Sequence, residues 1–226
     1  VSNYIGLILT QLISILKGSP VTNTMLEVAT SSNLWVNLFI MVLCAPVAEE
    51  LIFRKLLIDR LAQYGEGVAV LFSGLMFGLF HGNLNQFVYA FVLGLCFGFI
   101  YVKTGNIRYT IGLHMLVNFL GSVLGVAILK WLGDDFLSIA SDPAGMMSYM
   151  TGNFGKLIVY FIYIFLLLGV AIAGIILFIV NLKKIRFLPG MNTLPKGKRF
   201  STTVLNVGMA LYMIVWIVII IVQLFQ

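Results

Sequence analysis

Six polar side chains interrupt otherwise apolar sequence: Glu49, Glu50 and Arg54 in one run, His81 in the next, and His114 with Asn118 in a later one. The two histidines of the chain are both in this set. An ionisable side chain inside a membrane helix costs about 2.5–3.5 kcal/mol on insertion scales and marks function by default. In Glu49-Glu50-Leu51-Ile52-Phe53-Arg54, residues 50 and 54 share a helical face, so Arg54 can pair with Glu50 and hold it ionised. Glu49 is turned about 100° away, which leaves it free for chemistry. His114 and Asn118, again four apart, present a ring nitrogen and an amide along one face. Phe77 stands one turn before His81 and can pack against it. Taken singly, each feature has a plainer use: an interfacial ion pair, an interhelical hydrogen bond, helix packing. Together, a glutamate, two histidines and an asparagine from three helices can bind a water, move a proton and stabilise an oxyanion.

The elements that must position these groups are membrane helices. Of 226 residues, 61% are hydrophobic and 10% charged, with a mean hydropathy of +1.06. An average soluble domain carries about a quarter charged residues. That composition excludes a soluble enzyme, a disordered tail, a collagen-like fibre and a disulfide-stapled secreted module. Cys44 and Cys96 lie inside apolar runs and read as packing residues. Apolar segments near 4–16, 34–62, 68–81, 87–102, 107–132, 157–182 and 203–225 predict an all-α polytopic bundle of about 7–8 membrane helices. One integral membrane domain over 1–226 is expected, with the motifs in a core at 34–132 and C-terminal helices at 157–182 and 203–225. Those last two segments read as lipid-facing spans. Pro46 and the charges that follow it are expected to divide 34–62 into a membrane part and an interfacial part. Glycines four apart (Gly74, Gly78 and Gly82; Gly94 and Gly98; Gly121 and Gly125) predict close helix contacts.

Lys183, Lys184, Arg186, Lys196, Lys198 and Arg199 crowd 183–199 without an acid, which places that loop in the cytoplasm. Alternating the spans from there puts Arg54, Lys55, Arg60, Lys103 and Arg108 inside as well. Glu27, Asp134, Asp135 and Asp142 fall outside, together with the C-terminus. The net charge of +6 is thereby a topology signal, and no nucleic-acid partner is implied. No basic n-region or cleavage site marks a signal peptide, and a chain that opens on Val1 leaves open whether residues precede it. Depth poses a difficulty. His114 lies about 9 Å past Arg108 along a helix and His81 about 22 Å past Glu66, so tilts or breaks are needed for the two rings to meet.

Glu49-Glu50-x-x-x-Arg54, Phe77-x-x-x-His81 and His114-x-x-x-Asn118, complete and in order, resemble the three motifs of the CPBP family (CAAX protease and bacteriocin-processing, also called Abi), which includes the type II CAAX prenyl endopeptidases. The resemblance implies an intramembrane endopeptidase of a bacterial cell membrane, acting on membrane-associated peptides or proteins, as in peptide or bacteriocin processing or self-immunity. It implies Glu49 as the base that activates water with help from His81, and His114 with Asn118 as the oxyanion site. Glu50 and Arg54 are then supporting groups, and Phe77 shapes the pocket. No cofactor is favoured; the alternative is zinc on Glu49, His81 and His114 with water in the fourth position. Two other classes compete. One is a non-catalytic membrane regulator that binds a partner protein such as a sensor kinase. The other is a secondary transporter, against which the lack of an inverted repeat counts.

Overall fold

The structure, a computed structural model, describes residues 2–21, 24–133, 136–139, 142–192, 195–198, 201–202 and 205–225. Asp134, Asp135 and Arg199, which entered the charge count above, lie outside these. Every regular element among the described residues is helical: α1 (Ser2–Lys17), α2 (Thr24–Ser31), α3 (Leu34–Tyr64), α4 (Glu66–Phe80), α5 (Leu84–Thr104), α6 (Ile107–Leu132), α7 (Phe136–Ile139), α8 (Pro143–Lys184) and α9 (Val207–Phe225). By length and composition α3, α5, α6, α8 and α9 can each cross a membrane, while the apolar helices α1 and α4 are shorter. The all-α polytopic expectation holds.

The helix is not broken at Pro46, and α3 runs on through it. Its turns widen to π-helical geometry over Asn37–Cys44 and Leu51–Ile58, on either side of the regular stretch Ala45–Glu50. Proline has no N–H to return to the preceding turn. A wide turn ahead of it accommodates the ring and leaves carbonyls for side chains to satisfy. The carbonyl of Met41 is one of these, and it accepts from Asn118 Nδ2 at 2.8 Å.

The chain forms two compact units, each discontinuous in sequence. The first comprises Val1–Thr24, Ala45–His114 and Phe187–Gln226. Its centre is the antiparallel pair α4 and α5, joined through Gly82 at φ +65° and capped by Asn83, which accepts from Gln86 N at 2.8 Å. The glycine rows do bring these helices together: a Cβ on Gly94 would meet Gly74 Cα at 2.8 Å, and one on Gly78 would meet Phe91 Cβ at 3.0 Å. Helix α1 crosses α5 at Gly6, where a Cβ would meet the Asn85 carbonyl oxygen at 2.5 Å. Helix α9 docks on α4, with Tyr212 donating to the Met76 carbonyl at 2.8 Å and Trp216 5.2 Å from the Phe80 ring. One side of α9 is therefore packed against protein, which the reading of 203–225 as a lipid-facing span omits. A strap follows α8: Glu66 N donates to the Leu188 carbonyl at 3.1 Å, and Leu188 N returns a bond to Glu66 Oε2 at 2.8 Å.

The second unit comprises Met25–Cys44 and Met115–Arg186. Asn37 is fully buried, and its amide donates to the carbonyls of Ala29 at 2.8 Å and Ser122 at 3.1 Å, tying α2, α3 and α6 together. Ile128, Leu132, Phe136 and Leu157 form its apolar cluster. Asp142 caps α8 by accepting from the N–H groups of Ala144 and Gly145. Gly125 approaches the Tyr163 hydroxyl, but a Cβ on Gly121 would meet nothing within 4 Å, so the contact expected at Gly121 is not made.

The α4–α5 seam is testable by its glycines. Gly94→Ala drives a Cβ into the backbone of Gly74, and overpacking of this kind costs about 1–3 kcal/mol. The thermal unfolding midpoint in detergent is expected to fall for Gly94→Ala and to hold or rise for Gly121→Ala. Equal midpoints for Gly94→Ala and wild type would show that the seam has slack.

Candidate active site

The first unit gathers most of the polar set around one buried charge. Glu50 and Arg54 have no exposed surface, and Arg54 Nε lies 3.0 Å from Glu50 Oε2, as the four-residue spacing predicts. One further arm of the guanidinium is held by α4, and aromatic rings from α4 and α5 lie near the group. Nη1 donates to Ser73 Oγ at 2.8 Å, and Ser73 Oγ donates to the Phe53 carbonyl at 2.8 Å. The flat face of Arg54 covers the Phe77 ring, with Cζ 4.8 Å from its centroid, and lies 5.8 Å from the Phe97 ring. Both distances are within cation–π range.

Glu50 also orients His114. Its Oε1 accepts from His114 Nδ1 at 3.0 Å. A carboxylate only accepts, so Nδ1 carries the proton and the ring is held in one orientation. His114 Nε2 then faces Glu49 Oε2 at 3.7 Å. Glu49 is half-buried, and its Oε2 has no hydrogen-bond partner among the described residues. Neighbouring carboxylates on one helix thus have different surroundings: Glu50 has a partner at 3.0 Å from each oxygen, while the ring nitrogen nearest Glu49 Oε2 is at 3.7 Å.

His81 follows the last turn of α4 and donates from Nδ1 to the Phe77 carbonyl at 2.8 Å. A carbonyl only accepts, so Nε2 of the neutral ring is left as a lone-pair acceptor. The Phe77 ring stands between the imidazoles, 4.9 Å from His81 and 5.6 Å from His114, edge-on to each. Through this shared ring the two imidazoles join one cluster without touching each other's rings.

Glu49, Glu50, Arg54, Phe77 and His114 are therefore in direct contact as a chain, and His81 joins through Phe77. Glu49 and His81 make no ion pair with each other. Asn118 belongs to the second unit, where one amide N–H is given to Met41 and its carbonyl accepts from Ser122 Oγ at 2.5 Å. Sequence reading missed Ser73, Phe97 and a polar group beside His81 formed by Asn83, Gln86 and Tyr89. Ser73 had a legible signal, since 73, 77 and 81 recur every four residues on one face of α4. Phe97 had none, as phenylalanines are frequent throughout the chain.

Among the described residues no three of His, Cys, Asp and Glu gather as a metal-holding group. Each imidazole offers a single nitrogen, and Glu49 approaches only the His114 ring.

Comparison with known proteins bears out the resemblance carried by the motifs. Residues 31–120 match the family described as type II CAAX prenyl endopeptidase Rce1-like. A Bacillus subtilis (strain 168) protein named "Putative membrane peptidase YdiL" is 32% identical over 74 residues, 32% of this chain and 30% of its own length. A Staphylococcus aureus (strain USA300) protein named membrane-embedded CAAX protease MroQ is 26% identical over 153 residues, 65% of this chain and 59% of its own length. The chain thus spans less than two thirds of either relative. No solved structure matches. With five helices long enough to cross a bilayer and membrane proteins as relatives, the chain is an integral, multi-pass membrane protein.

The buried pair sets an expectation for stability. Removing one partner strands the other charge, at a cost of about 3–5 kcal/mol. Glu50→Gln and Arg54→Met are each expected to unfold at markedly lower temperature in detergent. The double variant is expected to recover part of the loss, and Glu49→Gln to stay near wild type. Single variants as stable as wild type would show that the pair is not an essential structural support.

Proposed function

We propose, from the match of residues 31–120 to the type II CAAX prenyl endopeptidase Rce1-like family, that this chain is an intramembrane endopeptidase acting on membrane-associated peptides or proteins. The observation that carries the reading is Glu49, buried on one side, with an unpartnered oxygen 3.7 Å from an imidazole that Glu50 holds in place. The names of the two relatives, a "Putative membrane peptidase" and a CAAX protease, support the same class of activity.

In this reading Glu49 is the general base. A water bound at its carboxylate gives up a proton to Glu49 as its oxygen attacks the scissile carbonyl, and the carbonyl electron pair becomes the oxyanion. His81 Nε2, a lone-pair acceptor, orients the same water. Protonated Glu49 then delivers its proton to the departing amine as the C–N bond breaks, which restores the carboxylate. Arg54 balances Glu50 throughout, so Glu49 can gain and lose a proton without disturbing that pair. His114 stays held at Nδ1 by Glu50; a proton on its Nε2 as well would let that nitrogen donate to the new oxyanion. The family resemblance would add Asn118 as a co-donor; in the structure its amide donates to the Met41 carbonyl within the second unit. No step requires a metal. Processing of a peptide or bacteriocin, or self-immunity, is the class of task proposed, with the 183–199 loop on the cytoplasmic side.

Membrane-peptide products of cells carrying wild type and Glu49→Gln, at matched protein levels, test the reading. A peptide or processed terminus is expected to vanish in the variant, because the carboxylate is lost while size is kept. An unchanged product pattern with a persisting cellular phenotype would favour the partner-binding regulator instead. Separately, purified protein treated with EDTA or 1,10-phenanthroline is expected to keep cleaving the product-yielding peptide. Loss of cleavage that added zinc restores would overturn the metal-free scheme.

A further inference from the structure

A buried polar chain runs from the backbone of His81 to a tyrosine hydroxyl, and the mechanism above does not use it. Asn83 Nδ2 donates to the His81 carbonyl at 2.9 Å and to Gln86 Oε1 at 2.5 Å, while Asn83 Oδ1 accepts from Gln86 N at 2.8 Å. Gln86 Nε2 then donates to the Tyr89 hydroxyl oxygen at 2.8 Å. Asn83 and Gln86 are buried. Capping α5 accounts for the Asn83 side chain and the Gln86 backbone N–H, and a solvent-exposed cap would do that as well. It does not account for the last link to Tyr89.

That last link fixes what Tyr89 can do. Its oxygen accepts from Gln86, so its own O–H must donate elsewhere, and it finds no acceptor among the described residues. A hydroxyl that accepts one hydrogen bond is a stronger donor in the next. The Tyr89 ring stands 6.4 Å from the His81 ring and packs on the Phe53–Phe77 cluster that adjoins the guanidinium. The unused donor is thus on a residue beside the water-orienting imidazole and the aromatic wall of the site.

We propose that the Tyr89 hydroxyl is a catalytic hydrogen-bond donor to the oxyanion of the tetrahedral intermediate, held in its donating orientation by Gln86 and Asn83. This rests on the endopeptidase reading. Tyr89 donates without giving up its proton, and the covalent steps are unchanged. Gln86 and Asn83 are positioning residues that act through Tyr89.

The test uses the full chain in liposomes and the peptide that wild type cleaves fastest from an internally quenched peptide library. Tyr89→Phe removes only the hydroxyl. It is expected to lower kcat by about 10- to 100-fold with KM within about twofold, since loss of one oxyanion donor acts on the transition state. Gln86→Met, which keeps length and removes the donor, is expected to lower kcat by about three- to tenfold, and not further when combined with Tyr89→Phe. Thermal midpoints near wild type exclude unfolding as the cause. Tyr89→Phe at wild-type kcat, or a loss residing in KM, overturns the inference. Glu49→Gln is run alongside. If it is inactive while Tyr89→Phe is not, this inference alone fails; if Glu49→Gln cleaves as wild type does, or wild type cleaves no peptide, the endopeptidase reading falls as well.

Discussion

A guanidinium with no exposed surface constrains everything around it. In an apolar interior an unpaired charge is costly by several kcal/mol, so Arg54 must be met from all sides. Glu50 meets it along α3, Ser73 and the Phe77 ring from α4, and the Phe97 ring from α5. Through Glu50 the requirement extends to His114 at the start of α6. One cation therefore fixes the relation of four helical segments in the first unit. The glycine seam serves the same end. Where a Cβ on Gly94 would stand, Phe77 Cδ1 lies at 3.2 Å, so the missing side chain makes room for the ring beneath Arg54.

Much of this was legible because it follows from the helical period. Residues 50 and 54 pair, Phe77 packs on His81, and the composition demands membrane helices; each needs only one segment and its spacing. Contacts between segments were not legible. Nothing in the sequence shows that Glu50 serves both Arg54 and His114, or that α9 packs on α4 through Tyr212 and Trp216. Pro46 misled for a related reason. Its cost to a regular helix is a local rule, whereas the widened turn and the Asn118 amide that supplies the Met41 carbonyl are answers from elsewhere in the chain. Gly121 shows the converse: four-residue spacing permits a contact but does not supply a partner.

The adjacent acids show how the same constraint separates roles. A proton-transferring carboxylate must gain and lose a proton without upsetting its neighbours. For Glu50 that is prohibitive, since protonation would strand Arg54 in an apolar interior and remove the acceptor that orients His114. Its surroundings hold it in one state. Glu49 stands about 100° round the helix, half-buried, with a single ring nitrogen at 3.7 Å and an oxygen without a hydrogen-bond partner. Neutralising it leaves His114 still paired with Glu50. Of the two carboxylates, only Glu49 can change charge while every buried ion keeps a partner. For that reason proton transfer is assigned to Glu49 and fixed charge to Glu50, although the two residues are of the same type and adjacent in the chain.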